Sequence, residues 1–265
     1  IRNSYRFLQS SGIRFFVLEF PGRHAWPGPD IIREALLWFT FDGYRRDQSH
    51  RQKKAVREYL KEIRRKAALQ EEQLDAFAAA GTLARGISFL SGIARTGSLK
   101  KELDRLQKSD GFRQREKQIN DALALEIRLQ QGYLLALRER DTTWWRNEMR
   151  ELDEKISRGD NTIMQPVYNR IRNYISMAAF SYCNGSLGQN DMVNAGKFIA
   201  LYRIVDPGNP DGYYFHALYL AKKGHADAAS ESFRKAVTLG FSDFGKARRE
   251  LPEEVFRAGR PPLPR

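Results

Sequence analysis

Four histidines and one cysteine are the side chains of this 265-residue sequence best suited to acid–base, nucleophilic or metal chemistry near neutral pH. His24 has the most telling surroundings. It lies in Pro21-Gly22-Arg23-His24-Ala25-Trp26-Pro27, a run of turn-forming residues between two apolar segments. An imidazole on such a loop can act as a general base if a nucleophile and an orienting acid reach it. His50, His216 and His225 carry no comparable constellation and read as surface or packing residues. Cys183 stands among Ala178, Ala179, Phe180 and Tyr182, the setting of a small core residue, with no basic cluster to favour a thiolate. A single cysteine excludes an intrachain disulfide, and the scattered histidines have no metal-ligand spacing. No metal and no other cofactor is expected.

The elements around His24 follow from local pattern. Residues 13–20, Ile-Arg-Phe-Phe-Val-Leu-Glu-Phe, are nearly continuously apolar and rich in β-formers, which predicts a strand buried on both faces. Beyond the loop and Pro27-Gly28-Pro29, Asp30 is placed to cap a helix on which Ile31, Ala35, Leu36, Trp38 and Phe39 recur. Strand, histidine-bearing loop and amphipathic helix together resemble the C-terminal end of an α/β-hydrolase domain, over about residues 13–44. The resemblance implies that His24 is the catalytic histidine and that the helix packs back on a sheet. It also implies a serine and an acid upstream of the histidine. Only 23 residues precede His24, and none forms G-x-S-x-G; Asn184-Gly185-Ser186-Leu187-Gly188, further on, lacks the first glycine. These residues therefore complete no triad by themselves. A doubly buried strand also needs partner strands for its backbone groups, and no second segment of similar quality is present. Both observations lead us to expect the C-terminal portion of a longer protein. The competing expectation is an esterase- or peptidase-like serine hydrolase, with His24 as general base and the other two groups supplied from upstream.

From about residue 48 onward the pattern is helical. Val56, Tyr59, Leu60, Ile63 and Ala67 share one stripe, and that helix is predicted to run on through Leu74 and Phe77. Gly81, Gly86, Gly92 and Gly97 predict breaks around a short buried helix carrying Leu83, Ile87 and Leu90. Ser98 can cap a helix with Leu99, Leu103 and Leu106 inside. Residues 119–137 form the most apolar helix, followed by one with Trp145, Met149, Leu152 and Ile156 on one side and Gly159 at its end.

A repeat with a period of about 34 residues would change the whole architecture. Residues 211–239 resemble a tetratricopeptide repeat: Tyr213, Ala217 and Leu220 on the first helix, Gly224 at the turn, and Ala229, Phe233 and Ala236 on the second. Small side chains facing large ones let two helices cross closely. His216 and Phe241 depart from the family pattern, which has leucine and proline there. An earlier, looser unit carries Ala195, Ile199, Tyr202 and Pro207, after a less well-fitting first helix over about 167–182 whose turn Asn184-Gly185-Ser186 loosens. The resemblance implies a stack with a concave face built from first helices, on which Asp211, Tyr214, Leu218 and Lys222 would meet a peptide or protein partner. Two repeats are few for a free-standing array. They are expected to lean on the preceding helices, with a terminal helix over 244–256 covering the open end.

The overall expectation is a mainly α chain of helical hairpins with a strand–loop–helix remnant of an α/β domain at its start. Its expected divisions are 1–46, a helical region over 47–163, tetratricopeptide-like repeats over 164–258, and an extended tail over 259–265. The net charge of +13, from 45 basic and 32 acidic residues, invites a nucleic-acid reading. Yet the charge is interleaved with apolar positions, as in Lys61, Glu62, Arg64, Arg65 and Lys66, and no helix-turn-helix, zinc-finger or RNP pattern accompanies it. That argues against nucleic acid as the partner. No apolar run approaches the ~18 residues of a membrane-spanning helix. The expected occupant of the concave face is thus a peptide, a protein, or the protein's own upstream domain.

Overall fold

The computed structural model describes residues 7–8, 10–12, 14–18, 27–159 and 163–259. Among them the chain is mainly helical, with no strand. It divides into two compact units, residues 1–117 and 118–265.

In the first unit, α1 (Pro29–Arg46) is followed by α2 (Lys53–Glu72), α3 (Ala76–Leu90) and α4 (Gly97–Gln107). Proline at the first helical position sets where α1 begins. Its φ is already helical and its missing N–H is one the first turn cannot use, so Gly28 becomes the extended cap and Asp30 falls inside the first turn. There Asp30 still complements the helix dipole, two residues past the N-cap instead of at it. The strand expected over 13–20 is not seen. Residues 14–18 have no regular structure, and Phe16 packs on Trp38 at 5.6 Å and edge-on to Phe89 at 4.7 Å. The loop bearing His24 lies outside the described residues.

The predicted continuation of α2 through Phe77 gives way to a tight hairpin. The Asp75 carboxylate accepts from the Ala78 N–H at 2.9 Å and starts α3 afresh, while Leu74 turns through a positive φ of 59°. Gly81 and Gly86 do not break α3 as their residue type suggested. Gly86 has a packing reason: a Cβ there would come within 2.7 Å of Ile63 Cγ2, so its bare backbone lets α2 and α3 touch. Phe41, Tyr59, Ile63, Leu83, Phe89, Leu99 and Leu106 fill the core, with Tyr59 stacked on Phe89 at 5.5 Å. Arg45 closes it from one side, donating to the carbonyls of Ser91 (2.8 Å), Ser88 (3.1 Å) and Phe89 at the end of α3.

α5 (Asp110–Glu139) contributes Phe112 to the first core, and its later turns contribute Ala122, Tyr133, Ala136 and Leu137 to the second. The second unit continues with α6 (Thr142–Arg158), α7 (Met164–Gly188), α8 (Met192–Val205), α9 (Pro210–Lys222), α10 (Ala226–Thr238), α11 (Phe244–Glu250) and α12 (Glu253–Gly259). Asp141, Asp191 and Asn209 cap α6, α8 and α9 through backbone N–H groups two or three residues on. α7 runs on to Gly188, through Asn184-Gly185-Ser186, which the sequence pattern places in a loosened turn. Leu187, buried near its end, supplies a reason: continuing the helix keeps that side chain in the core. Ala217, Ala229, Phe233 and Ala236 are fully buried where α9 and α10 cross, and Gly224, with φ +79°, makes the turn between them. The terminal cap is two short helices, because Pro252 cannot continue α11.

Alanine normally favours a helix over glycine by about 1 kcal/mol. We expect Gly86→Ala instead to lower unfolding free energy by about 1–2 kcal/mol in a urea titration, through the forced shift of Ile63. Combining it with Ile63→Ala should give a loss smaller than the sum of the two single losses, because the clash disappears.

Candidate interaction surfaces

The four positions proposed for a concave face do not share one exposure. Tyr214 is fully buried: its ring stacks on Phe241 at 4.4 Å and its hydroxyl donates to Glu250 Oε2 at 2.8 Å. Leu218 is buried too. Asp211 is half-buried, and loss of solvent raises its pKa against the opposing pull of Lys246. Only Lys222 is exposed, with Nζ 3.5 Å from Asn190 Oδ1. Residues of the terminal helices account for the difference at Tyr214: Glu250 binds its hydroxyl, Lys246 lies 5.3 Å over its ring, and Phe241 just before them stacks on it. Their spacing in sequence has no helical period that would have announced this contact.

Among the described residues, the nearest thing to a catalytic pair is His216 with Ser232. His216 Nδ1 lies 2.8 Å from Ser232 Oγ, and the same nitrogen is 3.4 Å from Arg203 Nη1. Burial first, then the neighbouring Arg203 cation, push the imidazole pKa down from 6.5 to about 4. A ring so weakly basic is poorly matched to deprotonating a serine at neutral pH. The sign for stability follows from linkage: the unfolded chain binds the proton between pH 6.5 and about 4 and the folded one does not, so acidification through that window destabilises the fold. His216→Gln should flatten the decline of Tm across this window relative to wild type; parallel curves would contradict the assignment.

Cys183 is fully buried on α7, and burial pushes its thiol pKa far above the ordinary value. In a thiol-quantitation assay it should react at least ~100-fold more slowly in buffer than in denaturant, as expected when reaction requires opening of the fold. Among the described residues no group of His, Cys, Asp and Glu is arranged to hold a metal, and no helix is long and apolar enough to cross a membrane.

Among the described residues, no element covers the apolar side chains of two surfaces. The first is on α1. Leu37, Trp38, Phe41 and Tyr44 face the first core, while Ile32, Leu36 and Phe39 remain 43%, 61% and 70% exposed. The spacing 32, 36, 39 puts these three on a single outer stripe. A helix apolar on both sides is the pattern of one buried from both sides.

The second surface lies between α5 and α7. The Arg170 guanidinium donates to both Glu126 oxygens, at 2.9 and 2.6 Å, and Arg138 Nε donates to the Tyr182 hydroxyl at 3.1 Å. Both contacts join residues 44 apart, so the helices run parallel between them, over twelve residues or about 18 Å. The depression along them, a cavity of about 420 Å³, is lined by Leu134, Tyr174, Met177, Ala178, Ser181 and Tyr182. Met177 is 70% exposed at its rim. These are the first helices of successive hairpins, the kind of face the repeat pattern pointed to, but one hairpin earlier than α9.

A third depression, of about 590 Å³, lies where α6, α7 and α8 meet and is rich in arginine. Two of these have structural roles. Arg172 bonds Asp153 and the Val205 carbonyl that ends α8, and Arg203 lies 4.9 Å over the Tyr213 ring.

No protein-family model matches the chain, and no curated protein or solved structure is significantly similar to it.

Proposed function

We propose that this chain is an interaction module of helical hairpins, tetratricopeptide-like in its C-terminal part, which is not catalytic by itself and docks against another folded domain through α1. The outward stripe of Ile32, Leu36 and Phe39 carries this reading. Burying three such side chains gains several kcal/mol, whereas leaving them on a helix already packed through its other face gains nothing. The resemblance of residues 13–44 to the end of an α/β-hydrolase domain suggests what covers the stripe: a β-sheet layer of the same protein. Such a sheet needs a flat apolar helix face, and α1 offers one.

The same stripe favours a second reading, in which the covering domain supplies a serine and an acid and His24 serves as general base of an esterase- or peptidase-like hydrolase. The two readings share the docking of α1 and differ in chemistry.

A photo-crosslinking residue placed at Leu36 or Phe39, in the protein as its source organism makes it, should join α1 to one β-sheet domain. The same residue at exposed Lys100 should not. Crosslinking no greater than at Lys100 would remove the docking role. Ester hydrolysis abolished by His24→Ala would select the hydrolase reading, and hydrolysis that survives the change would exclude His24 from it. In the isolated chain, Phe39→Glu should reduce binding of a hydrophobic dye while shifting stability by no more than about 0.5 kcal/mol.

A further inference from the structure

We propose that the groove between α5 and α7 receives a partner's amphipathic α-helix that carries acidic residues at one end. This rests on the reading of the chain as an interaction module but is independent of α1, which belongs to the other unit.

The shape of the groove selects a helix. Its lining sets small Ala178 and exposed Ser181, one turn apart on α7, among the large side chains of Leu134 on α5 and of Tyr174, Met177 and Tyr182 on α7. Small side chains among large ones along parallel helices leave a floor of holes into which side chains of a third helix can pack. An extended segment would fit the length in about five or six residues. It would, however, bring its backbone N–H and C=O groups against walls with few polar groups to receive them. The Ser181 hydroxyl already donates to the Met177 carbonyl at 3.0 Å, and the Tyr182 oxygen accepts from Arg138. A helix satisfies its own backbone and needs only apolar anchors at i, i+3 or i+4, and i+7. About twelve helical residues span the 18 Å between the polar ends. The exposed thioether of Met177 can adjust to anchors of different shape.

Charge selects the sign of the partner. At the Glu126 end, Arg170 is neutralised by a two-bond ion pair. At the other end Arg138 lies 5.5 Å over the Tyr182 ring. Tyr182 in turn stacks on Phe198 at 4.8 Å, and Lys197 lies 6.0 Å over the Phe198 ring and donates to the Arg138 carbonyl. Among the described residues, neither Arg138 nor Lys197 has a carboxylate within ion-pair distance. Two cations beside an apolar groove complement a helix whose apolar stripe ends in Asp or Glu.

The test is selection of a library of single-helix 16-residue peptides on the whole chain, followed by fluorescence anisotropy with the enriched sequences. The expected winners carry apolar residues at helical spacing and acidic residues at one end. Met177→Asp, a change at an exposed position, and Ala178→Arg, which fills the floor, should each weaken binding at least tenfold, with circular dichroism confirming retained fold. Arg138→Glu with Lys197→Glu should shift preference toward peptides in which lysine replaces the acidic residues. The proposal is overturned if no helical sequence is enriched. It is equally overturned if the winners lack acidic bias, bind Met177→Asp unchanged, or bind as well with proline placed mid-peptide. None of these outcomes depends on α1, so failure here and failure of the docking reading are separable.

Discussion

With no strand among the described residues, the apolar stripes of these two cores are covered by other helices, and helices approach most closely where one surface is small. That constraint recurs throughout. Gly86 yields to Ile63 between α2 and α3, and Ala217, Ala229 and Ala236 are fully buried in the core that α9 and α10 share. Hairpins are the economical solution, since short turns bring neighbouring helices together with little loop to order. α1 is covered only in part. It has two apolar sides, and its own unit covers one.

The polar interactions refine this arrangement more than they create it. Helix starts are set by Asp75, Asp141, Asp191 and Asn209, each satisfying a backbone donor that packing cannot. Arg45 and Arg172 serve the opposite ends, lying on carbonyls that close α3 and α8. These two basic side chains therefore have structural duties at helix ends.

How legible the fold was depended on the kind of signal. Helical periodicity located most helices, and the small–large alternation of residues 211–239 located the α9–α10 hairpin. Residue-type rules for glycine misled at Gly81 and Gly86, because the need for close helix contact outweighed the helix-breaking tendency of the residue. The burial of Tyr214 and Leu218 was illegible from periodicity: Glu250 and Phe241, which engage Tyr214, come from 27 or more positions further along the chain. The α5–α7 groove was hidden for a similar reason. Its members belong to two helices 44 residues apart, beyond the repeat unit that the pattern made visible.

The position of Cys183 has a practical consequence. The chain's sole thiol is sealed inside α7, between turns that the core holds in place. A cysteine introduced elsewhere on the surface would thus be the one that reacts, with no need to remove the native residue first. Spin labels or dyes could be attached to α1 in one preparation and to α7 in another, and the wild-type core would remain intact in both.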